Sequence, residues 1–486
     1  MSPIRTALFA AVATAAFAVA APAQAQTTVT QISSDPFAPN SMPTAAHATE
    51  VEPDTFAFGS TVVAAFQTGR VFNGGSSDIG FATSLNGGGT WTHGFLPATT
   101  TASTPIGPFF ATSDSSVAYD AKHGVWLISW LGLHFAGGGI VDVMTSRSTD
   151  GGLTWSNPVA VAANGVFYDK NWSVCDNTAT SPFYGHCYTE FDNASNRDLE
   201  QMSTSSDGGL IWGPPLATAD TIHGLGGQPV VQPNGRVVVP FEGLNHGQGI
   251  RAFTSDDGGL TWNRSVRIAT VASHDVPGLR TSPLPSAEIN AAGVVYVAWQ
   301  DNRFESGGKA NDIVLSSSAD GTTWSPLSRT PIDAVGSNVD HFIPGLAVDR
   351  TTAGGSTALA LTYYFQAPAG CVGLSCTIQA GFVSSLDNGQ TWSAPQTLSD
   401  PMQLGWIAPT SQGAMVGDYI STSFVAPKHA VGAFAIGFPM NGSLFNEPMF
   451  AAQETVSGGS TGAESTAVLF SSVNSNSNLV APPTAF

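Results

Sequence analysis

The sequence contains STDGGLTW at Ser148–Trp155, and the same short pattern occurs six times in the chain. The other copies are SLNGGGTW at Ser84–Trp91, SSDGGLIW at Ser205–Trp212, SDDGGLTW at Ser255–Trp262, SADGTTW at Ser318–Trp324 and SLDNGQTW at Ser385–Trp392. In this pattern an Asp side chain accepts hydrogen bonds from the backbone N–H groups of its own turn, and a Gly supplies a positive φ angle. We therefore expect six structural turns between antiparallel strands, each with its Trp packed against the next repeat.

The spacing of the copies indicates one four-stranded sheet per repeat. Their Asp or Asn residues stand at positions 86, 150, 207, 257, 320 and 387, and two β-type runs precede each copy. A seventh pair of runs follows at Gly417–Phe438, and Thr27–Ser34 is placed to close that last sheet. The sequence predicts an all-β fold, a single β-propeller of four-stranded antiparallel blades with the repeated turn between third and fourth strands. Seven blades are favoured, and six are the alternative.

The repeated turn resembles the Asp box, or BNR repeat, of the sialidase-like superfamily. The resemblance covers about residues 28–453 and implies a propeller fold and glycan chemistry. Sialidases of this superfamily carry an Arg-Ile-Pro motif and three arginines that hold the substrate carboxylate. No Arg-Ile-Pro occurs here, and the predicted topology places Arg70, Arg280 and Arg303 on one face.

The N-terminal 25 residues have the composition of a secretory signal peptide. Arg5 precedes the apolar stretch Ala7–Ala21, and Ala23–Ala25 forms a small-x-small cleavage site. We expect cleavage near Ala25, a secreted or periplasmic protein, a propeller domain at 26–453 and a low-complexity, disordered tail at 454–486. Beyond the signal peptide, no apolar run approaches the length of a membrane helix.

The charge balance narrows the choice of partner. The chain has 35 acidic and 16 basic residues, with a formal net charge of −19. Such a protein repels polyanions, which argues against nucleic acid and anionic membrane surfaces. We expect a carbohydrate substrate or ligand, and a monomer.

Four cysteines predict two local disulfides, Cys175–Cys187 and Cys371–Cys376, because an exported chain folds in an oxidising compartment. Three pairings are formally open, and these two need no long-range geometry. The sequence predicts no cofactor and no metal site. Calcium at an acidic mouth is the alternative, with the candidate oxygen ligands Asp114, Asp169, Asp340 and Asp418.

Strand order assigns the functional face. First strands start, and second strands end, on the face opposite the Asp boxes, where propellers usually bind their ligands. The candidate catalytic residues there are Glu190, Glu242, Asp169 and Asp301. The candidate substrate-binding residues are Arg70, Arg280, Arg303, Lys170, His341, Tyr364, Asp418 and Tyr419.

Glycosidases use two carboxyl groups, one protonated and one ionised, on either side of the scissile bond. Glu190 and Glu242 end apolar strands, which favours a protonated acid. Asp169 and Asp301 stand near Lys170 and Arg303, which favours an ionised partner. The sequence therefore predicts a secreted glycoside hydrolase acting on an extracellular glycan, with exo-α-sialidase activity as one form. The alternative is a non-catalytic propeller that binds a glycan or a protein.

Overall fold

The computed structural model describes residues 28–37, 42, 44–136 and 139–459, with the backbone alone at 28, 246 and 306. The expected signal peptide and the tail from residue 460 lie outside these residues. The described fold is all-β, and its helices are single 3₁₀ turns at Ala194–Asn196, Asn245–Gly247, Ser306–Gly308, Gly354–Ser356 and Leu404–Trp406. No helix in the described ranges has the length and apolar character needed to span a membrane.

The described strands form six antiparallel sheets and one two-stranded ribbon. The largest sheet has eight strands and consists of two four-stranded units joined where Ser76 of β4 pairs with Thr112 of β6. We number these two units separately, as sheets 1 and 2, which gives seven units in all. The chain opens with β1 (Thr28–Gln31). Sheet 1 follows with β2 (Ala45–Phe58), β3 (Thr61–Val71), β4 (Ser76–Ser84) and β5 (Thr92–Phe95), and sheet 2 with β6 (Ala111–Asp120), β7 (Val125–Leu133), β8 (Val141–Ser148) and β9 (Val159–Ala162). Sheet 3 contains β10 (Tyr168–Cys175), β11 (Cys187–Asn193), β12 (Leu199–Ser205) and β13 (Leu216–Ala217).

The remaining sheets repeat this order with local variations. Sheet 4 contains β14 (Gly224–Leu225), β15 (Val230–Val231), β16 (Val237–Gly243), β17 (Gly249–Ser255) and β18 (Val266–Ala269), and sheet 5 contains β19 (Ser286–Ile289), β20 (Val295–Asp301), β21 (Asp312–Ser318) and β22 (Ser328–Arg329). Sheet 6 contains β23 (Asp340–Val348), β24 (Leu359–Gln366), β25 (Thr377–Ser385), β26 (Gln396–Thr397) and β27 (Met402–Gln403). The ribbon β28 (Pro409–Thr410) and β29 (Gly413–Ala414) precedes sheet 7, which contains β30 (Ser421–Ala426), β31 (His429–Ala435), β32 (Met449–Thr455) and β1.

The first strands of successive sheets pack against one another. β2, β6, β10, β15, β19, β23 and β30 make contacts in this order, and β30 also contacts β2. The N-terminal strand completes sheet 7 by pairing with β32, where Val29 lies opposite Ala452. The N-terminal strand β1 therefore closes the last sheet, as the sequence predicts. β32 runs to Thr455, two residues past the predicted domain end at Gln453.

Each Asp box lies between the third and fourth strands of its sheet. In sheet 2 the Ser148 hydroxyl donates a 2.7 Å hydrogen bond to Asp150, and the Gly152 N–H donates a 2.9 Å bond to that hydroxyl. The same Ser-to-Asp or Ser-to-Asn bond, 2.7–3.0 Å long, occurs in all six boxes, at Ser84–Asn86, Ser148–Asp150, Ser205–Asp207, Ser255–Asp257, Ser318–Asp320 and Ser385–Asp387.

The boxes pack on the preceding sheet, so the expectation that the Trp packs on the next repeat is wrong. A Cβ at Gly152 of sheet 2 would lie 2.7 Å from Val63 of sheet 1. The ring of Trp155 likewise lies 5.8 Å from the ring of Phe81 in sheet 1. Gly152 has φ 83° and no free space around its Cα, so both its conformation and its packing require glycine.

Replacing Asp257 by Ala is expected to lower the free energy of unfolding by about 1–2 kcal/mol, since a charged acceptor of several hydrogen bonds is lost at a mostly exposed turn. Asp257 accepts hydrogen bonds from the Thr261 N–H at 2.9 Å and from the Ser255 hydroxyl at 2.9 Å. Urea unfolding measures the change. Asp275→Ala is the control, because Asp275 is exposed outside a box and its loss is expected to cost less than about 0.5 kcal/mol. An unchanged midpoint for Asp257→Ala would contradict a stabilising role for the boxes.

Both predicted disulfides are present. Cys175 at the end of β10 is bonded to Cys187 at the start of β11, and Cys371 is bonded to Cys376 between β24 and β25. The first bond ties two paired strands of sheet 3 together. In protein purified from an oxidising compartment, peptide mapping without reduction is expected to recover these two linked pairs. Reduction of Cys175–Cys187, which closes the larger loop, is expected to lower the free energy of unfolding by about 3 kcal/mol. Four free thiols would contradict both the pairing and the expected compartment.

Candidate active site

Irregular first strands bring charged side chains together on the face opposite the Asp boxes. β2, β6 and β10 each contain a bulge, where the register shifts between Val51 and Asp54, between Ser113 and Ser116, and between Asp169 and Trp172. At these bulges Glu52, Asp114 and Lys170 adopt positive φ angles of 55°, 43° and 46°. Residues other than glycine rarely adopt positive φ angles, and the strained residues that do are concentrated at functional sites. A bulge also redirects a side chain out of the regular alternation of a strand.

Lys170 lies at the centre of the resulting cluster. Its Nζ donates to Asp114 Oδ1 at 2.9 Å and to Asp418 Oδ2 at 2.5 Å, and Glu52 Oε1 lies 3.7 Å away. Asp418 also accepts a hydrogen bond from Arg280. Lys170, Glu52, Asp114 and Asp418 are all buried, so these charges interact with little screening by water.

A pocket of about 240 Å³ opens over this cluster. Its lining includes Glu52, Asp114, Asp169 and Lys170 from first strands. The second strand β3 adds Gln67 and Arg70, the segment from 73 to 75 forms part of the rim, and Arg280 and Met415 come from connections between sheets. These lining positions are starts of first strands, ends of second strands and inter-sheet connections, whereas the boxes follow third strands.

The buried carboxyl groups of the cluster have different protonation states. Burial raises the pKa of Glu52 to about 8, and the nearby Asp114 carboxylate adds to this shift while Lys170 opposes it. Burial opposes ionisation of Asp418, but Lys170 and Arg280 outweigh it and hold the pKa of Asp418 below its usual value. Burial and the Asp114 carboxylate raise the pKa of Asp169 to about 6. At pH 7 Glu52 therefore holds its proton, while Asp169 and Asp418 are mostly ionised.

The cations of the pocket are also held differently. Burial alone would lower the pKa of Lys170, but Asp114, Asp418 and Glu52 outweigh it and raise that pKa well above its usual value. Burial lowers the pKa of Arg70, whose Nε has no hydrogen-bond partner among the described residues. Lys170 is thus a permanently charged centre, and Arg70 presents part of its guanidinium group without a partner.

Comparison with known proteins supports the resemblance carried by the Asp boxes. Residues 130–345 match the family described as BNR repeat-like domain, and this range contains four of the six boxes. This match covers a little under half of the chain and supports a BNR-repeat, sialidase-like superfamily. The resemblance that the boxes suggest is therefore confirmed. A search among curated proteins gives no match.

This BNR-repeat chain is similar to several solved structures at low sequence identity. A protein of unknown function from Dyadobacter fermentans is 13% identical with a TM-score of 0.49, over 90% of this chain and 100% of that chain. A leech intramolecular trans-sialidase is 14% identical with a TM-score of 0.43, over 87% and 70% of the two chains. An α-L-arabinofuranosidase from Fusarium graminearum is 15% identical with a TM-score of 0.43, over 71% and 93%.

The pocket of the BNR-repeat chain contains several residues that the sequence analysis selects. Asp169, Lys170, Arg70 and Arg280 line it, and Asp418 binds two of these cations from beneath. Tyr419 lies under the cluster, with its ring centroid 5.9 Å from Lys170 Nζ. Tyr419 is buried and contacts the ring of Trp172, so it supports Lys170 from the interior.

The other selected residues lie outside this pocket lining. Glu190 is fully buried on β11, and Glu242 is half-buried on β16, where burial raises its pKa to about 7. Arg303 Nε lies 2.7 Å from Asp301 Oδ1, and the Arg303 guanidinium group also donates a hydrogen bond to a backbone carbonyl oxygen. These four residues follow the predicted topology, but different sheets carry them.

His341 and Tyr364 lie inside sheet 6. Tyr364 is fully buried and donates a 2.9 Å hydrogen bond to the Ala435 carbonyl oxygen of sheet 7. The ring of His341 packs on Tyr363 at 5.6 Å, and burial lowers the pKa of His341 to about 4. Tyr364 therefore packs the interface of sheets 6 and 7, and His341 packs within sheet 6.

His341 also belongs to the one trio of possible metal-binding side chains in the described ranges, with Asp312 and Asp333. The guanidinium group of Arg329 lies 2.7 Å from Asp312 and 2.5 Å from Asp333. This cation already neutralises both carboxylates, so we assign an ion-pair role to the trio.

Two pocket residues are missed by the sequence analysis as catalytic candidates, Glu52 and Gln67. Gln67 donates a hydrogen bond to Glu52, and both are buried. The signal is positional: Glu52, Asp114 and Lys170 each stand two residues before the point where the first strand resumes its pairing with the second. Recognising it requires alignment of first strands, because the bulges break the two-residue alternation.

A larger cavity of about 520 Å³ lies at the opposite ends of the first strands. Its lining is mainly apolar, with Phe56, Val174 and Phe424 among its residues, and Arg350 pairs with Glu288 at its wall. It has no convergence of ionisable groups comparable with the Lys170 cluster. The smaller pocket is therefore the candidate active site.

Proposed function

We propose that this protein is a secreted glycoside hydrolase that acts on an extracellular glycan through the Lys170 pocket. The observation that carries the proposal is one pocket lined by a protonated carboxyl group, Glu52, and an ionised one, Asp169. Two carboxyl groups whose environments separate their pKa values are the arrangement that acid-assisted glycoside cleavage requires.

In this mechanism Glu52 donates its proton to the glycosidic oxygen as the bond between the sugar carbon and that oxygen breaks. Asp169 stabilises the positive charge that develops on the sugar and receives the proton of the water that replaces the leaving group. Lys170 holds the surrounding carboxylates in place through its contacts with Asp114 and Asp418. Carboxyl groups carry out both proton transfers, to the leaving oxygen and from the attacking water, so the proposed reaction needs no cofactor.

The size of the pocket favours a terminal sugar. A volume of about 240 Å³ is below the roughly 300–1,000 Å³ of pockets that enclose drug-sized ligands. A pocket of this size suits one sugar ring with its substituents. We therefore propose exo-cleavage of a terminal residue, with sialic acid as one candidate sugar.

We further propose that the seven sheets are the blades of a single β-propeller. The support is the contact of successive first strands around a cycle from β2 to β30, with β1 completing sheet 7. Secretion or export to the periplasm is supported by the two disulfides, which persist in oxidising compartments.

Ligand binding without catalysis is the second candidate. It is favoured by the internal pairing of the pocket, in which Asp418 binds both Lys170 and Arg280. Such a site recognises a sugar through hydrogen bonds from groups whose charges are already balanced.

A hydrolysis screen of the purified oxidised protein tests the proposal. The panel contains aryl glycosides of neutral sugars, amino sugars, uronic acids and sialic acid, and release of the aryl alcohol is measured. Turnover of at least one substrate, abolished by saturation with the corresponding free sugar, supports the enzyme. Saturable binding on a glycan array without any turnover supports the binding protein instead.

A further inference from the structure

Four acidic side chains lie next to one another across sheet 3. In the strand register Asp169 on β10 is opposite Asp192 on β11, and Asp192 is opposite Glu200 on β12. Directly opposite residues point to the same face, with Cβ atoms about 4.5–5.5 Å apart. Glu190 is two residues before Asp192 on β11 and therefore shares that face. The resulting acidic row begins at the pocket with Asp169 and continues into the protein.

The acidic row is deeply buried and nearly without donors. Asp192, Glu190 and Glu200 have 0% exposed surface. The carboxyl groups of Glu190 and Glu200 are close enough to raise the pKa of Glu190, and none of their four oxygens has a hydrogen-bond partner among the described residues. The two oxygens of Asp192 have no hydrogen-bond donor in the described part of the chain. A buried carboxylate without donors is strongly disfavoured, so protons must supply the missing partners.

Sheet 4 covers the row with glycine backbone. A Cβ at Gly224 would lie 2.6 Å from Glu200 Oε1, and one at Gly227 would lie 2.6 Å from Glu190 Cδ. There is no room on this side for a neutralising side chain. Two charged groups outside the row face its inner members: Lys170 from β10 and Asp198 from the turn before β12. At the pocket end, Asp114 and Arg280 also act on Asp169.

Neither a side-chain cation nor a metal ion accounts for the row. Lys170 and Arg280 are the cations near the row, and both already bind Asp418, while Lys170 also binds Asp114. Within the described ranges, the oxygens of these four acids supply no three ligand atoms within 4.8 Å of one another. Neighbouring like charges in such a setting cannot all ionise, so adjacent members must share protons.

We infer that Asp169, Asp192, Glu200 and Glu190 form a proton-sharing row that couples the charge of the pocket to the packing of sheets 3 and 4. At low pH the row is neutral and sheet 4 packs closely on it. As the pH rises, successive members lose protons, and the negative charge appears both at the pocket wall and beneath the glycine backbone. The pocket and the interface between the two sheets therefore respond to pH together.

The direction of the pH effect follows from where the protons are bound. Burial raises the pKa of Glu200 to about 8 and the pKa values of Glu190 and Asp192 well above their usual range. Between about pH 4.5 and pH 8 the unfolded chain has released protons that the folded chain still holds. Stability contributed by the row is thus complete below about pH 4.5 and is lost as the pH rises through this interval.

Urea unfolding of the full-length oxidised protein at pH 5 and pH 8 tests the inference. Asp192→Asn, Glu200→Gln and Glu190→Gln each replace a protonated acid with a neutral group of the same shape. We expect each variant to match the wild type at pH 5 and to unfold at about 0.5 M higher urea, or more, at pH 8. Asp400→Asn is the control, because Asp400 is exposed and its replacement is expected to change neither midpoint.

Three results would overturn the inference. The first is an equal loss of stability at both pH values, or failure of all three variants to fold at pH 5, since either shows that ionised carboxylates are required. The second is a calcium-dependent rise in the wild-type midpoint that Asp192→Asn removes, which would assign the row to a cation. The third concerns the infrared spectrum of the wild type in D₂O at neutral pD. The inference is wrong if this spectrum has no band from a protonated carboxyl group, or if that band does not weaken in the folded variants.

Discussion

Replacing Lys170 by Met is expected to lower the free energy of unfolding at pH 7 by about 3–5 kcal/mol, the usual cost of removing one partner of a buried ion pair. Lys170 is the cation between Asp114, Asp418 and Glu52, at 2.9, 2.5 and 3.7 Å. Without it, Arg280 still neutralises Asp418, but Asp114 is left as a buried carboxylate with no cation within contact distance in the described residues. Urea unfolding monitored by tryptophan fluorescence measures the loss.

Acid conditions separate this electrostatic effect from lost packing. Lys170 helps to hold the pKa of Asp418 below its usual value, so removal of Lys170 lets acid protonate this carboxyl group more readily. Lys170→Met is therefore expected to come closer to the wild type in stability at pH 4 than at pH 7. Lys309→Met is the matched control, because Lys309 is exposed and its replacement is expected to change stability by less than about 0.5 kcal/mol. A loss for Lys170→Met of the same size at pH 4 and pH 7 would show that packing, and not charge, makes Lys170 important.

Glu52→Gln is expected to reduce turnover about 100-fold or more on any substrate found in the screen, because the proton donor is lost. Burial of Glu52 favours its protonated form, and the glutamine amide has the same shape as this protonated acid. The stability of Glu52→Gln at pH 7 is therefore expected to equal that of the wild type. The rate is measured at saturating substrate across pH 5–9. The wild-type rate is expected to fall as the pH rises past about 8, where Glu52 loses its proton.

Two further amide variants locate the effect. Asp169→Asn is expected to lose turnover to a similar degree, because Asp169 lines the same pocket. Glu190→Gln is expected to retain near-normal turnover, because Glu190 has 0% exposed surface and contacts Glu200 instead of the pocket. Full activity in both Glu52→Gln and Asp169→Asn would remove this pocket from consideration as a catalytic site.

The features that the sequence predicts well are local. Each Asp box is a turn of about eight residues that contains its own hydrogen-bond donors and acceptors, such as Ser148 and Asp150. The pairing of Cys175 with Cys187 is similarly short-range, because the two residues lie opposite each other in adjacent strands. Repetition of such local units along the chain is enough to predict an all-β fold and its strand order.

The site is predictable only in part, because its geometry depends on long-range packing and on bulges. Lys170, Arg280 and Asp418 are polar residues at predicted strand ends, which made them visible in the sequence. Glu52 is different, since a non-glycine residue with positive φ in a bulge leaves no compositional signature. Glu190 shows the converse difficulty: strand alternation places it at a strand end, but which neighbouring sheet covers its face depends on Gly224 and Gly227, far along the chain.

The pairing of β1 with β32 sets an order for biosynthesis. β1 is the first described strand to leave the ribosome, and its partner β32 is the last. Sheets 1 to 6 contain strands that are contiguous in the chain and can form as it emerges, whereas sheet 7 has to wait for residue 455. Translation that stops before β32 therefore leaves β1 and β31 with unpaired edges, which are the surfaces on which incomplete β proteins aggregate. In the full-length chain the first and last described strands, β1 and β32, lie side by side. In a circular permutant opened at an Asp-box turn, these two strands would be joined covalently.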